Sequence, residues 1–187
     1  MLCYKQSTHV HNRNTLAEGK YLGLYHRDNW EFTERPNSNG VVGILPITDD
    51  GKIVLIEQYR IPTQSTVIEI PAGLVGDEPE HAHESLEATA QRELLEETGY
   101  RADKITPLIS SPTSAGMTTE ITHLYAATKL TREHQGGGIE GENITVHHIK
   151  KEELSSWLAN KKQEGHSIDF KIHACLYLAE QCGILNS

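Results

Sequence analysis

Cysteine is scarce in this sequence, and long apolar runs are missing. The three cysteines (Cys3, Cys175 and Cys182) are odd in number and lack the spacing of metal ligands. We therefore expect free thiols in a reducing compartment, the cytoplasm. No apolar run approaches the length of a membrane span, and the residues after Met1 do not look like a signal peptide. The sequence thus predicts a cytoplasmic protein without a membrane partner.

Basic residues are also few. Lysine and arginine together number 17 against 26 acidic residues, which gives a formal net charge of −9. Sequence-independent binding to nucleic acid needs a basic surface, so we exclude nucleic acid as a partner. An acidic protein that binds a phosphorylated small molecule must bring a metal ion or local arginines to the anion. The length of 187 residues suits one domain with a full core.

The sequence does contain a series of short strand patterns. The first 20 residues have weak periodicity and predict a loosely packed arm. Residues 21–33 alternate as one or two strands, and Asp49 to Lys52 predict a hairpin turn. Six further strands and a long, flexible, glycine-rich loop are expected (strands 41–47, 53–59, 66–70, 104–110, 121–130 and 144–149; loop 131–143).

Helices are mixed with these strands, which predicts an α+β fold, a sandwich of sheet between helices. We assign residues 1–40 to an N-terminal β extension and residues 41–187 to the main domain. Two helices are expected near the C-terminus, over residues 151–162 and from a cap at Ser167 or Asp169. The apolar residues that should face inward from them are Trp157, Leu158, Phe170, Ala174 and Leu178.

A further helix is expected between Ser85 and Gly99. The Ser85 hydroxyl can accept a hydrogen bond from the first-turn amides, and Gly99 suits the left-handed residue that ends a helix. Between them, Leu86, Ala90 and Leu94 recur every four residues and form one apolar stripe.

The same helix carries a group of carboxylates on a neighbouring face. Glu93, Glu96 and Glu97 stand three and four residues apart, where like charges repel each other. A divalent cation such as Mg²⁺, which prefers oxygen ligands, would offset this repulsion. The alternative is a solvated acidic face with Arg92 as its ion-pair partner.

The residues around this helix resemble the Nudix box. Glu84 is followed, after seven residues, by Arg92-Glu93-Leu94-Leu95-Glu96-Glu97-Thr98-Gly99-Tyr100, which matches every fixed position in the second half of that pattern. The first half departs from it, because ten residues rather than five separate Gly73 from Glu84. We interpret this difference as an insertion around residues 76–83, in the loop before the helix.

Other motifs resemble one branch of that family, the ADP-ribose pyrophosphatases and nucleoside-diphosphate-sugar hydrolases. Glu57-Gln58-Tyr59-Arg60 is similar to the branch's E-Q-Y-R strand end, and residues 69–74 are similar to its E-x-P-A-G-L entry to the box. The loops 113–120 and 140–144 are weaker matches. Members that prefer ADP-ribose usually have proline at the position of Ala115. Because proline locks φ and alanine does not, this difference favours other nucleoside diphosphate sugars.

The resemblance implies a metal site and its neighbours. Glu93 and Glu97, with the backbone carbonyl of Ala72, would bind Mg²⁺, or Mn²⁺ in its place. Glu96 would either bind the metal or orient Arg92, and both are candidate catalytic residues.

The resemblance also implies a general base in the acidic loop. Glu142 is favoured slightly over Glu140 because of its position before the last strand. Glu84 would either reach the metal or serve as an acidic residue at the helix N-terminus.

Four residues are candidates for substrate binding. Arg60 could hold a phosphate through bidentate hydrogen bonds, or form an ion pair with Glu57 or Glu69. Glu69 is itself a candidate substrate contact, and Glu120 could accept hydrogen bonds from sugar hydroxyls. Trp30 could stack on the base, or lie in the core or a dimer interface.

These features together resemble a Mg²⁺-dependent pyrophosphohydrolase. The implied substrate is ADP-ribose or a related nucleoside diphosphate sugar such as GDP-mannose, and the products are a nucleoside monophosphate and a sugar phosphate. The resemblance also implies a homodimer in which the N-terminal strands and the E-Q-Y-R region meet. The alternative is a non-catalytic module that senses the nucleotide. Such modules usually lose carboxylates from the R-E-x-x-E-E run, and this chain keeps them all.

Overall fold

The computed structural model describes residues 12–77, 79–139 and 141–185. These residues form two compact units: one contains the chain up to Asn37 together with Pro112–Glu120, and the other contains Ser38–Ser111 and the chain from Ile121 onward. The elements in chain order are β1 (Asn14–Glu18), β2 (Gly23–Arg27), β3 (Trp30–Glu34), β4 (Val41–Pro46), β5 (Lys52–Arg60), β6 (Ser65–Glu69), β7 (Ala72–Leu74), α1 (Leu86–Thr98), β8 (Tyr100–Pro112), β9 (Ile121–Arg132), β10 (Thr145–Lys150), α2 (Lys151–Gln163), β11 (Ser167–Ile168) and α3 (Phe170–Gln181).

The first unit contains an antiparallel sheet in the order β1-β2-β3. A tight turn joins β2 to β3, where Arg27 pairs with Trp30 and Asp28 takes a positive φ of 52°. The two strands predicted within residues 21–33 are therefore confirmed. The expectation of a loosely packed arm was wrong for residues 14–18, which form β1. All five β1 residues are exposed, and backbone pairing with β2 holds the strand without a strong apolar pattern.

The second unit contains two four-stranded sheets, β10-β5-β6-β11 and β7-β4-β9-β8. The predicted turn before β5 is present, since the Gly51 amide donates to the Thr48 carbonyl over 2.9 Å. The expectation of a regular hairpin at this turn was wrong, however. Beside this turn, the two segments are joined by the isolated bridge between Ile47 and Ile53 and by a hydrogen bond from the Thr48 amide to the Lys52 carbonyl, but β4 and β5 continue into different sheets.

Side chains alternate between the two faces of the central strands. Val42 and Ile44 of β4 pack in one buried cluster with Ala90 and Leu94 of α1. Leu45, the residue after Ile44, points to the other face and belongs to a second buried cluster. This cluster contains Ile53 and Leu55 of β5 and the buried residues of α2 and α3 (Leu154, Leu158, Ile172, Cys175 and Ala179). Strand layers therefore lie between α1 on one side and α2 and α3 on the other. The α+β sandwich is confirmed.

The predicted inward face of α3 was wrong for Phe170, whereas Ala174 does pack against the buried cluster. Phe170 is 64% exposed, and the buried residues are Ile172, Cys175 and Ala179. Asp169 caps the helix by accepting a hydrogen bond from the Lys171 amide, whereas Ser167 lies in β11. Two apolar stripes of similar spacing run along this helix, and packing against the sheets selects one of them. In α2, the inward positions of Trp157 and Leu158 are confirmed.

Two further expectations can be compared with the structure. Cys175 and Cys182 are free thiols, whereas Cys3 lies outside the described residues.

The long loop was expected to be flexible from residue 131, but β9 continues to Arg132. The amides of Gly137 and Gly138 then donate to carbonyls of α1, so this part of the loop is held by backbone hydrogen bonds. No helix within the described ranges has both the length and the apolar character needed to cross a membrane.

Candidate active site

The helix α1 begins and ends where the sequence predicts. The Ser85 Oγ accepts a hydrogen bond from the Ala88 amide over 3.2 Å. Gly99 has a φ of 76°, and its amide donates to the Leu95 carbonyl over 2.8 Å. These two caps fix the length of the helix, and the buried stripe described above fixes its rotation about its own axis. The direction of its carboxylates follows from both.

The three carboxylates on α1 lie at different depths. Glu97 is only 4% exposed, while the side chains of Glu93 and Glu96 are 13% and 32% exposed. The Glu97 Oε2 accepts a hydrogen bond from the Ala72 amide over 3.0 Å, which joins the helix to the start of β7. The sequence pattern places the three on one patch, but the structure shows Glu97 buried, Glu93 mostly covered and Glu96 more exposed.

Gly73 provides the space that Glu93 occupies. A Cβ atom added at Gly73 would collide with the Glu93 carboxylate and would lie 2.5 Å from its Oε2. Any larger residue at position 73 would therefore displace the carboxylate. The glycine of the E-x-P-A-G-L motif thus has a packing reason within this chain.

The Arg92 guanidinium lies among three carboxylates. Its Nη1 donates to Glu93 Oε1 over 2.8 Å and to Glu96 Oε2 over 3.1 Å, while its Nε donates to Glu84 Oε2 over 3.2 Å. Glu84 also accepts a hydrogen bond from the Thr89 hydroxyl over 3.1 Å. Burial alone would lower the pKa of Arg92, but the surrounding carboxylates outweigh it and raise the pKa. Glu84 and Glu96 are thus Arg92 partners in this arrangement.

Negative charge is costly on both Glu93 and Glu97. Burial raises the pKa of Glu93 to about 7, against the opposing effect of Arg92 and with added repulsion from Glu96. Burial likewise raises the pKa of Glu97 well above its ordinary value, although the hydrogen bond from Ala72 opposes it. Repulsion from Glu93 raises the pKa of Glu97 further, and repulsion from Glu142 raises the pKa of both Glu93 and Glu97.

The chemistry of this pair fits a hard divalent cation. Within the described ranges, no group of three or more His, Cys, Asp or Glu side chains stands ready to bind a metal. Mg²⁺ does not need such a group, because it usually keeps several waters and binds one or two carboxylates together with substrate phosphates. Glu93 and Glu97 supply two such carboxylates in a place where negative charge is costly. The carbonyl of Ala72 as a third ligand stays a prediction.

Glu142 follows the glycine run (residues 136–138). Its Oε2 accepts a hydrogen bond from the Ile139 amide, and its own amide donates to the Ile139 carbonyl, both over 3.0 Å. Its charge acts on Glu93 and Glu97, so its carboxylate belongs to the same acidic region. Glu140, the other candidate base, lies outside the described residues.

Arg60 forms one of the two ion pairs that the sequence left open. Its Nε donates to Glu69 Oε2 over 2.7 Å, and Glu69 is only 9% exposed. The pairing with Glu57 was wrong, since Glu57 accepts instead from Lys161 and His147 over 3.1 and 3.0 Å. The positive charge of Arg60 also acts on Glu97. Phosphate binding by Arg60 and substrate binding by Glu69 stay predictions.

The first unit holds the other two candidate substrate residues. Trp30 is 63% exposed, so its placement in a core was wrong. It lines a pocket of about 220 Å³ together with other residues of the same unit (Arg27, Asp28, Phe32, Ala115, Gly116, Thr118 and Thr119). Glu120 accepts hydrogen bonds from Arg35 Nε and Thr113 Oγ1, each over 3.0 Å. Its carboxylate is therefore already ion-paired, and its contact with a sugar stays a prediction.

Two contributions to the site were missed by the sequence analysis. One is the space that Gly73 leaves for Glu93. The other is the contact of the glycine run with the end of α1, where Gly137 donates to the Glu97 carbonyl over 2.9 Å. Three consecutive glycines were a signal for a close approach of two backbones, but they were interpreted as flexibility.

Comparison with known proteins agrees with the arrangement of strands around α1, the helix of the Nudix-box pattern and here called the box helix. A family model described as NUDIX domain matches residues 38–169, which is more than half of the chain. The chain belongs to the NUDIX family. A solved structure titled as that of an ADP compounds hydrolase has the same fold, with a TM-score of 0.72 and 22% identity, covering 91% of this chain and 90% of that one.

Three relatives of this NUDIX chain have known names. An ADP-ribose pyrophosphatase of Bacillus subtilis (strain 168) is 38% identical over 131 residues, covering 64% of this chain and 65% of the relative. A methanol dehydrogenase activator of Bacillus methanolicus is 37% identical over 126 residues, with coverages of 66% and 64%. A GDP-mannose pyrophosphatase of Yersinia pestis (strain Pestoides F) is 36% identical over 119 residues, with coverages of 58% and 56%. The matched part thus spans between 56% and 65% of each relative's length, which is less than two thirds.

Proposed function

We propose that this NUDIX protein is a Mg²⁺-dependent pyrophosphohydrolase of nucleoside diphosphate sugars. It cleaves the diphosphate of ADP-ribose or a related compound such as GDP-mannose, and releases a nucleoside monophosphate and a sugar phosphate. The observation that carries the proposal is the acidic pair on α1, where the buried Glu97 accepts from the Ala72 amide and the mostly covered Glu93 carboxylate packs against Gly73. The names of two relatives, an ADP-ribose and a GDP-mannose pyrophosphatase, support this substrate class.

Each acidic residue of the site has a role in this proposal. Glu93 and Glu97 hold the cation, and Mn²⁺ can replace Mg²⁺ because both accept carboxylate oxygens. When bound, the metal neutralises the diphosphate charge and lowers the pKa of a water. Arg92 keeps Glu93 and Glu96 in place through the hydrogen bonds described above. Glu96 is thereby a partner of Arg92, although it is exposed enough to reach a second cation.

The remaining groups act on the water and the substrate. Glu142 takes a proton from the attacking water as a new P–O bond forms, and the bond from that phosphorus to the bridging oxygen breaks. Arg60 contacts a phosphate with its terminal nitrogens, since its bond to Glu69 uses Nε. Trp30 offers an exposed indole on which a nucleobase can stack.

A second candidate is a hydrolase of nucleoside diphosphate sugars with little activity on ADP-ribose. Ala115 favours it, because this residue lines the Trp30 pocket at the position where ADP-ribose-preferring members usually have proline. The loop is therefore less constrained than a proline would make it. An Ala115→Pro variant tests this candidate: it should raise kcat/KM for ADP-ribose relative to GDP-mannose, and an unchanged ratio would argue against it.

The experiment that tests the function is a substrate panel with product identification. The panel contains ADP-ribose, GDP-mannose, NAD⁺ and ATP, each with Mg²⁺, with Mn²⁺ and with EDTA. We expect a nucleoside monophosphate from one of the sugar compounds, and no turnover in EDTA. Glu97→Gln should abolish turnover, while Glu87→Gln, an exposed carboxylate on the same helix, should not. Turnover by Glu97→Gln at the wild-type rate would disprove the metal assignment.

A matched pair of variants tests the general base. Glu142→Gln should lower kcat by about 10² to 10⁴-fold, the usual contribution of a general base, with little change in KM. Glu140→Gln serves as its control in the same loop. If Glu140→Gln causes the larger loss, the roles of the two residues are reversed.

We also propose that the protein is a cytoplasmic homodimer. Leu16 and Leu24 in the sheet of the first unit are 52% and 37% exposed, which leaves apolar surface for a second copy. The free thiols support a reducing compartment. Light scattering after gel filtration should give twice the chain mass, and Leu16→Glu should shift it toward the monomer.

A further inference from the structure

The glycine run between β9 and β10 contacts the end of the box helix through its backbone. The Gly137 amide donates to the Glu97 carbonyl over 2.9 Å, and the Gly138 amide donates to the Glu96 carbonyl over 3.1 Å. The last carbonyls of a helix have no partner within the helix itself. Here the loop supplies those partners, at the same two residues whose side chains belong to the acidic site.

Only glycine allows this approach. Gly136 has a φ of +74°, and a Cβ added there would lie 2.5 Å from the Thr98 carbonyl carbon and 2.6 Å from the Glu97 oxygen. The contact is reciprocal, because a Cβ added at Gly99 would lie 2.6 Å from the His134 carbonyl carbon and 2.8 Å from the Gly136 nitrogen. These distances are to backbone atoms, which cannot rotate away as a side chain can. Gly99 thus serves the loop contact as well as the end of the helix.

The contact reaches Glu142 within a few residues. A Cβ added at Gly138 would collide with the Glu142 carboxylate. The next amide, that of Ile139, donates to Glu142 Oε2 over 3.0 Å. An unbroken path of backbone contacts and one carboxylate hydrogen bond therefore leads from the last turn of α1 to Glu142.

We propose that Gly136 is a positioning residue that acts through Glu142. Its close packing against Thr98 and Glu97 sets the distance between the glycine run and α1, and thereby the place of the Glu142 carboxylate beside Glu93 and Glu97. This inference rests on the proposed function for its catalytic consequence, and on the structure for the backbone contact itself. The glycine run is a fixed support in this arrangement.

The decisive variant is Gly136→Ala, and the chain offers a matched control. Gly51 has a φ of +78°, almost the same as Gly136, but a Cβ added there meets nothing within 4 Å. Gly51→Ala therefore carries the same backbone strain without the collision. We expect Gly136→Ala to lower kcat by about 10²-fold, the loss caused by a displacement of about 1 Å at a reacting group. KM should stay within about twofold, because substrate contacts elsewhere are unchanged. Gly51→Ala should keep the wild-type kcat.

A double variant separates positioning from general damage. If Gly136 acts through Glu142, then Gly136→Ala should cost less than about twofold in kcat once Glu142 is already glutamine. A full additional loss in the Glu142→Gln background would overturn the proposal, and so would a wild-type kcat in Gly136→Ala alone.

Amide hydrogen exchange provides a readout that does not depend on activity. The Gly137 and Gly138 amides should exchange slowly in the wild type and in Gly51→Ala, and faster in Gly136→Ala. Fast exchange of both amides in the wild type would overturn the proposal even if Gly136→Ala failed to fold. A wild type that hydrolyses nothing in the panel would instead disprove the proposed function, while protected amides would still support the backbone contact.

Discussion

Replacing Glu93 with glutamine should stabilise the metal-free protein while removing its activity. Burial raises the pKa of the Glu93 carboxyl from 4.5 to about 7. Each pKa unit corresponds to about 1.4 kcal/mol, so ionising Glu93 costs the folded state roughly 3 to 4 kcal/mol. Glutamine keeps the shape of the side chain and a carbonyl oxygen for Arg92, but it carries no charge. The variant therefore avoids this cost.

The sign of the pH dependence follows from the same shift. The folded protein keeps the Glu93 proton to a higher pH than the unfolded chain does. Between pH 4.5 and about 7 it therefore binds more protons, and its stability falls as the pH rises through this window. The penalty is complete above pH 7 and absent below pH 4.5. Glu93→Gln should differ from the wild type at pH 8 and resemble it at pH 4.5.

Thermal unfolding in EDTA measures this difference. At pH 8 the Tm of Glu93→Gln should exceed that of the wild type by roughly 6 to 16 °C, because each kcal/mol shifts the Tm of a chain of this size by about 2 to 4 °C. Adding Mg²⁺ should raise the Tm of the wild type and leave the variant unchanged, because a ligand stabilises only the state that binds it. Glu87→Gln, on the exposed side of the same helix, is the control and should show neither effect. A variant less stable than the wild type in EDTA at pH 8 would refute the reasoning.

Three further predictions test other parts of the chain. Glu57→Gln should lower the free energy of unfolding in urea by about 1 to 3 kcal/mol at pH 7, because burial raises the Glu57 pKa but hydrogen bonds from Lys161 and His147 outweigh it and lower the pKa. The difference in stability between variant and wild type should narrow as the pH falls below 4.5, and equal stability at pH 7 would contradict the prediction. Leu94→Ala should lower the free energy of unfolding by about 2 to 5 kcal/mol in the same assay, since Leu94 is fully buried. A loss below about 1 kcal/mol would mean that neighbouring side chains fill the space left by the deleted atoms. Trp30→Ala should raise KM by about tenfold or more at constant kcat, and an unchanged KM for every substrate would exclude base stacking.

Features that depend on neighbours in the chain were predictable. Ser85 and Gly99 act on backbone groups within the same helix, so both ends of α1 are correct. The strand β4 was predictable for the same reason, but its partner strands were not, because a turn at Gly51 does not decide whether two strands share a sheet. Sequence-local signals thus fixed elements more reliably than pairings.

Features that depend on distant contacts were not predictable. Phe170 and Ile172 are both apolar, and only the packing of α3 decides which one is buried. Gly73 appears in the sequence as one residue of a strand entry, and its packing against Glu93 is visible only once the helix is in place. The glycine run gives the same lesson, since free conformation and close approach require the same residue type.

The packing of Gly73 against Glu93 also has an evolutionary consequence, because it couples two positions that lie twenty residues apart in the sequence. A Cβ at position 73 and the carboxylate of Glu93 would occupy the same volume, so a larger residue at position 73 requires a shorter side chain at position 93. Aspartate at position 93 would withdraw the carboxylate by one methylene and make room for alanine at position 73. Substitutions at these two sites should therefore co-evolve, and a chain that gains alanine at position 73 while it keeps Glu93 should have that carboxylate displaced from the acidic pair.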